Sequence, residues 1–413
     1  MKILSIETSC DETAISILEA SGIFGDIKNP VEFKILANTL ISQIDIHKEY
    51  GGVFPALAKR EHAKNLIPIL RKTLEEAKLS APNDKSKNIW KPGFQIEEIL
   101  EREPDLLKLF LEYIPTIEIP KIDAITITQG PGLEPALWVG INFAKALSLA
   151  WDKPLIPVNH MEGHLLASFI NHKSKIINFP AIGLLISGGH TELILMEKFR
   201  EYKKIGQTRD DAVGEAFDKV ARMMDLPYPG GPEISKLAQA QREKQNISAR
   251  SATIKLPRPM LNTDDFDFSF SGLKTAVLYL IKNLKKDLPA GKAGNSWDEL
   301  PQEIKEEVAL EFENAVTEIL LKKTEKAIEK YQAETLILGG GVTANNYIRQ
   351  SFESLDSQNA NLEILIPERK FSTDNAVMIG MAGYFKYLEQ KEKGQLQTAI
   401  DLKELRADGN LML

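Results

Sequence analysis

Residues 2–18, KILSIETSCDETAISIL, contain the pattern that decides the fold. An apolar strand is followed by a polar turn over residues 7–13 and then by a second strand over residues 14–18. The same order returns in the second half of the chain, in residues 182–196, IGLLISGGHTELILM. Two such units predict a duplicated domain in which each copy opens with a hairpin. The alternative is a coincidence of two unrelated hairpins.

The rest of the chain alternates between short apolar segments and longer helical patterns. A third strand-and-turn unit covers residues 335–349, where GGGV (residues 339–342) follows an apolar strand. Helical patterns occupy residues 61–77, 136–151, 211–224, 301–330 and 376–391. This alternation predicts an α/β protein.

Composition limits the classes of protein that the chain can represent. Its 413 residues are 43% hydrophobic and 26% charged, which favours two domains with sizeable cores. The net charge of −7 means that nucleic-acid binding would need a local basic patch or partner proteins. Cys10 is the single cysteine, which excludes an intramolecular disulfide and a cysteine-cage zinc site. The apolar residues 136–151 are fewer than the roughly 20 that a membrane span needs, so we expect a cytoplasmic protein.

Domain boundaries follow from shifts in composition. We expect a first domain over residues 1–150, a second over residues 151–375, and a C-terminal helix and tail over residues 376–413 that pack back on the first. Residues 80–120 are rich in charge and proline and contain one helical pattern at residues 96–113. We expect them to be an inserted surface excursion. Residues 287–295 are expected to form a loop.

Two of the six histidines, His160 and His164, are spaced so that both imidazoles lie on one face of a helix. Such a pair could share a metal ion with a third ligand, most plausibly a carboxylate. The alternative is a pair of solvated or core histidines. A zincin-like protease is a poor match, because Glu162 stands one position later than the general base of that motif.

Glycine turns follow two of the predicted strands, at residues 185–191 and 339–345. Turns of this kind expose backbone N–H groups, and glycine permits the close approach of a phosphate or carboxylate. Neither turn matches a Walker A loop or a dinucleotide fingerprint. Tight structural turns are the alternative for both.

Carboxylates cluster in two further turns. Glu7, Asp11 and Glu12 lie in the first hairpin, and Asp374 precedes the helix predicted from residue 376. Thr373 or Asp374 could instead cap that helix. Elsewhere, in residues 267–274 (DFSFSGLK), core packing explains the aromatic rings, but nothing local explains the second serine or the lysine.

Seven motifs occur together in a characteristic order: IETSCDET (6–13), HMEGH (160–164), SGGHT (187–191), GEAFD (214–218), PGGP (229–232), FSFSGLK (268–274) and GGGV (339–342). They closely resemble the TsaD family of bacterial tRNA threonylcarbamoyladenosine transferases. The resemblance covers nearly the whole chain, except about residues 80–120 and 285–300. It implies the two-lobed α/β fold with duplicated domains that actin, hexokinase and heat-shock ATPases share.

The resemblance also implies the ligands of the site. One divalent metal ion, iron by family resemblance with zinc or magnesium as alternatives, would be held by His160, His164 and Asp374. The adenylate substrate would be held by Leu185, Ile186, Ser187, Gly188, Gly189, Asp218, Gly231 and Asn345. We expect this ligand to bridge the two glycine turns across the cleft between the lobes. The chain departs from the family at Ser235, where many members have an acid, and at Pro135, where many have glycine.

The implied reaction moves a threonylcarbamoyl group from threonylcarbamoyl-AMP to the N6 amine of adenosine 37, just 3′ of the anticodon, in tRNAs that read codons beginning with A. Asp11 and Glu12 are the candidates for removing the amine proton. TsaB and TsaE are the implied partner proteins. The alternatives are a sugar-kinase-like ATPase or phosphotransferase, in which the histidine pair has no role, and a non-catalytic nucleotide-binding scaffold.

Overall fold

The fold is described by a computed structural model that covers residues 1–26, 28–83, 94–170, 177–248, 254–287, 300–356, 362–398 and 404–413. Contacts divide the chain into unit 1, Met1–Ile176 with Asp374–Leu413, and unit 2, Ile177–Thr373. The strands of unit 1 are β1 (Lys2–Glu7), β2 (Glu12–Ser21), β3 (Glu32–Ser42), β4 (Ala124–Gly130) and β5 (Leu155–Asn159). Those of unit 2 are β6 (Ala181–Ile186), β7 (Thr191–Met196), β8 (Tyr202–Gln207), β9 (Thr335–Gly339) and β10 (Glu363–Leu365).

Within the described residues, each unit is built on one five-stranded mixed sheet. The strand orders are β3-β2-β1-β4-β5 and β10-β9-β6-β7-β8. In unit 1, β1 pairs antiparallel with β2 and parallel with β4. In unit 2, β6 pairs antiparallel with β7 and parallel with β9. Counted from the opening hairpin, the two sheets have the same order and directions, so the predicted α/β fold with duplicated domains is confirmed.

The helices are α1 (Ile44–His47), α2 (Pro55–Glu76), α3 (Phe94–Ile99), α4 (Pro104–Tyr113), α5 (Glu134–Trp151), α6 (His160–Leu166), α7 (Val213–Met223), α8 (Gly230–Ser248), α9 (Ser271–Asp287), α10 (Gln302–Tyr331), α11 (Asn346–Asp356) and α12 (Ala376–Glu392). The five predicted helical patterns correspond to α2, α5, α7, α10 and α12. Helix α2 begins earlier than predicted, because Pro55 is favourable in a first helical turn. Pro135 likewise lies in the first turn of α5. Among the described residues, we find no helix that is both long and apolar enough to cross a membrane.

The predicted boundary at residue 150 was wrong, since unit 1 extends to residue 176 and resumes at Asp374. Strand β5 lies beyond residue 150 but pairs in parallel with β4, which makes it part of the first sheet. Helix α12 belongs to unit 1, in agreement with the expectation that the C-terminal helix packs back on the first domain. The Tyr384 hydroxyl donates to the Gly22 carbonyl at 2.7 Å, and Lys386 donates to the Pro157 carbonyl at 2.6 Å. Both contacts join residues that are distant in sequence and attach the helix to the first sheet.

Two glycines let α12 approach the sheet of unit 1 closely. A Cβ atom on Gly380 would lie 2.4 Å from Ser5 Oγ, and one on Gly383 would lie 2.3 Å from Thr126 Cγ2. Both distances are far below van der Waals contact. Helix α12 and the strands beneath it therefore pack at a separation that only glycine permits at these two positions.

The expectation of a surface excursion over residues 80–120 was also wrong for the described part of that segment. The pattern at residues 96–113 forms two helices, α3 and α4, because Pro104 starts a new helix. Leu100, Leu106 and Phe110 are fully buried in the core of unit 1. The Phe110 ring packs edge-to-face on Phe143 at 6.2 Å between centroids. The loop predicted at residues 287–295 begins at the end of α9 and otherwise lies outside the described residues.

The core of unit 2 packs around α7 and α10, where the Phe217 and Phe312 rings meet edge-to-face at 5.0 Å. The DFSFSGLK segment is attached to the start of α7 by polar contacts. Asp210 accepts hydrogen bonds from the Ser271 hydroxyl at 2.6 Å and from the Ser271 backbone N–H at 3.0 Å. Lys274 donates to Asp211 at 2.7 Å. These contacts explain the serine and the lysine for which the sequence offered no local reason.

Candidate functional site

The histidine pair lies on α6, which follows β5 directly. The Asn159 side chain caps this helix and accepts from the backbone N–H groups of Met161 and Glu162. The cap starts the helix at His160, so His164 is one turn later on the same face. The two imidazole rings lie 4.6 Å apart, nearly perpendicular to each other. Both histidines are buried.

Asp374 completes a cluster of three potential ligands. Its Oδ1 lies 3.3 Å from His160 Nε2 and 3.1 Å from His164 Nε2. One donor atom from each residue can be chosen so that all three lie within 4.8 Å of one another. The cap of α12 is Asn375, whose side chain accepts from the Met378 backbone N–H, rather than Thr373 or Asp374. Asp374 is therefore available to face the histidines.

Glu7, the last residue of β1, contacts His160 at the ring nitrogen opposite the one that faces Asp374. Its Oε2 lies 3.1 Å from His160 Nδ1 and also accepts from the Thr128 hydroxyl, while Oε1 accepts from the Ser9 backbone N–H. The Glu7 side chain is fully buried. Sequence reasoning placed Glu7 among the hairpin carboxylates but gave it no role. The signal available in the sequence was a carboxylate at the C-terminal end of a mainly apolar strand.

The buried charges of the cluster perturb one another. Burial alone lowers the pKa of His160, but the Asp374 and Glu7 carboxylates outweigh it and hold that pKa well above its usual value. Burial raises the pKa of Asp374, yet His160 and His164 lower it further, so this carboxyl stays ionised. The pKa of His164 lies below its usual value, chiefly through burial. The arrangement thus concentrates negative charge around two imidazoles, which suits a cation.

The turn between β1 and β2 carries the candidate proton acceptors. Asp11 is buried, and burial, followed by the charges of Asp374 and Asp11, raises the pKa of Glu12 well above its usual value. Burial and the same carboxylates raise the pKa of the Cys10 thiol, which therefore stays protonated and is a weak nucleophile. The structure thus brings this turn into electrostatic contact with Asp374.

The two glycine turns lie side by side in unit 2. They follow β6 and β9, which are parallel neighbours, so both turns emerge at the same edge of the sheet. A Cβ on Gly340, whose φ is +95°, would lie 2.4 Å from the Ile186 carbonyl oxygen. The expectation that these turns face each other across a cleft between lobes was wrong, because both belong to unit 2.

The turn after β6 leaves room for a ligand. The Ser187 backbone N–H donates to the His190 carbonyl, and the His190 backbone N–H donates to the Ser187 hydroxyl. A Cβ on Gly188 or Gly189 would meet no atom within 4 Å. A Cβ on Gly214, by contrast, would lie 2.7 Å from the Ser187 carbonyl oxygen, so α7 begins directly against the turn.

The remaining predicted substrate residues have structural contacts of their own. The Asp218 carboxylate accepts from the Gly230 backbone N–H at 2.7 Å, which ties α7 to the start of α8, where Gly231 is the second residue. The Asn345 side chain caps α11 and donates to Glu313 Oε1 at 2.7 Å. Glu313 is fully buried and also pairs with Arg242. Sequence reasoning missed this ion pair, since its members lie on two different helices.

The chain matches the family model described as "TsaD: tRNA N6-adenosine threonylcarbamoyltransferase" over residues 34–84 and 105–381. The unmatched segment between these two ranges is thus shorter than the predicted insertion. A tRNA N6-adenosine threonylcarbamoyltransferase of Thermosipho africanus is 42% identical over 94% of this chain and 94% of its own length. One from Staphylococcus haemolyticus is 40% identical over 93% of this chain and 91% of its own length. Among solved structures, a ROK hexokinase from Thermus thermophilus is similar over 94% of this chain and 100% of its own, with 11% identity and a TM-score of 0.38.

Proposed function

The chain belongs to the TsaD family of tRNA N6-adenosine threonylcarbamoyltransferases, and we propose that it transfers a threonylcarbamoyl group from threonylcarbamoyl-AMP to the N6 amine of adenosine 37. The tRNAs are those that read codons beginning with A. The convergence of His160, His164 and Asp374 supports this proposal most directly. A kinase or a nucleotide-binding scaffold would have no use for such a cluster.

The donor set fits a divalent metal ion, for which we propose iron, with zinc or magnesium as other possible occupants. Two imidazoles and one carboxylate suit iron or zinc, whereas magnesium prefers oxygen ligands, and three protein ligands leave coordination positions for a substrate. When bound, the ion would polarise and orient the carbamoyl-phosphate donor. Glu7 would hold His160 through Nδ1, which turns Nε2 toward the ion.

We propose that the adenylate lies at the paired glycine turns of unit 2. Its phosphate would approach Gly188 and Gly189, where no side chain obstructs the backbone. The other contacts would come from residues 185–187, Asp218, Gly231 and Asn345. Contacts of Glu313 with Asn345 would keep the Asn345 amide in place.

The chemistry then requires a nucleophile and a proton acceptor. The N6 amine attacks the carbamoyl carbon, a C–N bond forms, and the bond from that carbon to the phosphate oxygen breaks, which releases AMP. The amine loses one proton, which we assign to the carboxylate of Asp11 or Glu12; Glu12 can accept it only in the ionised form, which its raised pKa makes less abundant. The adenine must leave its stacked position in the anticodon loop to reach the site.

The negative net charge of −7 is consistent with tRNA binding that is shared with other proteins. We propose TsaB and TsaE as these partners. Because the substrate is tRNA, we also propose that the protein acts in the cytoplasm.

A transfer assay with purified components, with and without each partner, tests the function. His160→Ala and Asp374→Ala should each lose most bound metal and lower the transfer rate at least about tenfold, or 1.4 kcal/mol. Glu162→Gln is the matched control, since Glu162 lies buried on the same helix between the two histidines. It should keep both metal and transfer, whereas a protease would need it as the base. Wild-type metal content and activity in both ligand variants would refute the assignment.

A further inference from the structure

Three buried polar side chains lie beneath the turn that connects β1 and β2. They are His62 on α2, His47 on α1 and Gln43 just before α1, and each is at most 1% exposed. Burying a polar side chain costs free energy unless hydrogen bonds compensate, so three such groups in one place require a structural or functional reason. The chemistry proposed above uses none of them.

The turn is held at three successive points. His62 Nε2 lies 2.9 Å from the Cys10 carbonyl oxygen, and His62 Nδ1 lies 2.8 Å from the Thr13 hydroxyl. Between them, the Gln43 backbone N–H donates to the Asp11 carbonyl at 3.0 Å. His62 therefore contacts the residue immediately before Asp11 and the residue immediately after Glu12.

The donor and acceptor roles of these hydrogen bonds are mutually consistent. Burial lowers the pKa of His62 to about 4, so the ring is neutral, and its bond to a carbonyl places the proton on Nε2. Nδ1 then accepts from the Thr13 hydroxyl and lies 3.4 Å from Gln43 Nε2, which joins Gln43 to His62. Gln43 Oε1 lies 3.2 Å from His47 Nε2, and His47 Nδ1 accepts from the Phe54 backbone N–H. With these roles, both ring nitrogens of each histidine are used.

We propose that His62, supported by Gln43 and His47, is a positioning residue that holds the turn of residues 10–13 so that Asp11 and Glu12 are aligned with the reacting amine. This inference rests on the proposed function, in which one of these carboxylates takes the proton. Cys10 and Asp11 lie between the two strands, whereas Glu12 and Thr13 begin β2 and pair with Ser42 and Ile41 of β3. The position of Cys10 and Asp11 therefore depends on contacts such as those of His62 and Gln43, and a displacement on the order of 1 Å can cost a large factor in rate.

The test replaces the ring and measures both the turn and the reaction. His62→Leu removes the donor to Cys10 and the acceptor for Thr13. We expect the transfer kcat to fall at least about tenfold, with metal content and the KM for threonylcarbamoyl-AMP little changed. Hydrogen exchange of the Gln43 amide, which bonds Asp11, should become faster. His62→Gln keeps a donor and should restore much of the rate.

Thr73→Val is the matched control. Thr73 is a fully buried residue of the same helix whose hydroxyl contacts the Ile15 and Ile69 carbonyls, away from the turn. The Thr73→Val variant should be less stable than the wild type but should not slow transfer more than about twofold. If His62→Leu does not fold, Thr13→Val removes one contact of the same ring and should give a smaller effect in the same direction.

Unchanged kcat in a folded His62 variant, or unchanged exchange at Gln43, would overturn the inference. An equal loss of kcat in Thr73→Val would also overturn it, because the effect would then be one of stability. If the wild type transfers nothing, the proposed function fails, and the exchange comparison still decides whether His62 holds the turn.

Discussion

Lowering the pH should destabilise the protein through His62, which is buried as a neutral ring. Burial, the largest effect, lowers the pKa of His62 to about 4 in the folded state, against the pull of the Cys10 carbonyl and Glu7. In the unfolded chain this pKa is about 6.5. Between these values the unfolded state binds more protons, so the stabilisation is complete above about pH 6.5 and is lost as the pH falls toward about 4. Linkage then predicts a loss of about 2 kcal/mol between pH 7.5 and pH 5 from this group alone.

The measurement compares urea denaturation of the wild type and His62→Gln at both pH values, with metal removed from both by a chelator. Glutamine does not titrate, so its variant should lose about 2 kcal/mol less stability on acidification than the wild type does. All other titrating groups are common to the two proteins and cancel in the difference. Equal losses in the two proteins would refute the reasoning, because His62 would then be protonated without cost in the folded state.

Three further substitutions test the packing and the glycine turn. Gly383→Ala should destabilise unit 1 by about 1–3 kcal/mol in denaturation, since its Cβ would lie 2.3 Å from Thr126 Cγ2. Gly272→Ala is the control and should leave stability unchanged, because the nearest atom to its added Cβ would lie at 3.4 Å. Phe110→Ala should cost about 3–5 kcal/mol of stability, as for a core aromatic; a loss under 1 kcal/mol would instead favour a surface excursion. Gly189→Val should fold normally, because nothing lies within 4 Å of the added Cβ. Its affinity for a non-hydrolysable adenylate analogue, measured by calorimetry, should fall at least about tenfold. Unchanged affinity would move the adenylate site elsewhere.

The fold class could be predicted because its signals are local. A strand, a polar turn and a second strand are contiguous in residues 2–18 and again in residues 182–196, and the apolar alternation specifies each hairpin by itself. The helix patterns succeeded for the same reason. The surface excursion predicted over residues 80–120 was wrong because charge and proline content of this kind are typical of a surface loop. Its apolar residues nevertheless find partners such as Phe143, which is distant in sequence.

The candidate site was predictable only in part. The spacing of His160 and His164 indicates a shared helix face, and the family resemblance adds Asp374 to them. The roles of Glu7 and His62 could not be read from the chain, because each depends on a hydrogen bond to a residue more than 50 positions away in sequence. Local pattern also suggested that Asp374 or Thr373 caps α12, a role that the structure gives to Asn375.

The sequence by itself determined the duplicated α/β architecture, the spacing that lets the two histidines share one helix face and the family to which the chain belongs. These depend on periodicity, on turn chemistry and on the order of motifs, which act over a few residues or are matched directly. Only the tertiary structure decided where the units divide, that the two glycine turns share one sheet edge, and which buried groups orient His160 and the turn at Asp11. Such features arise from strand pairing and from the need to satisfy buried polar groups across long chain separations, and no local pattern encodes that pairing.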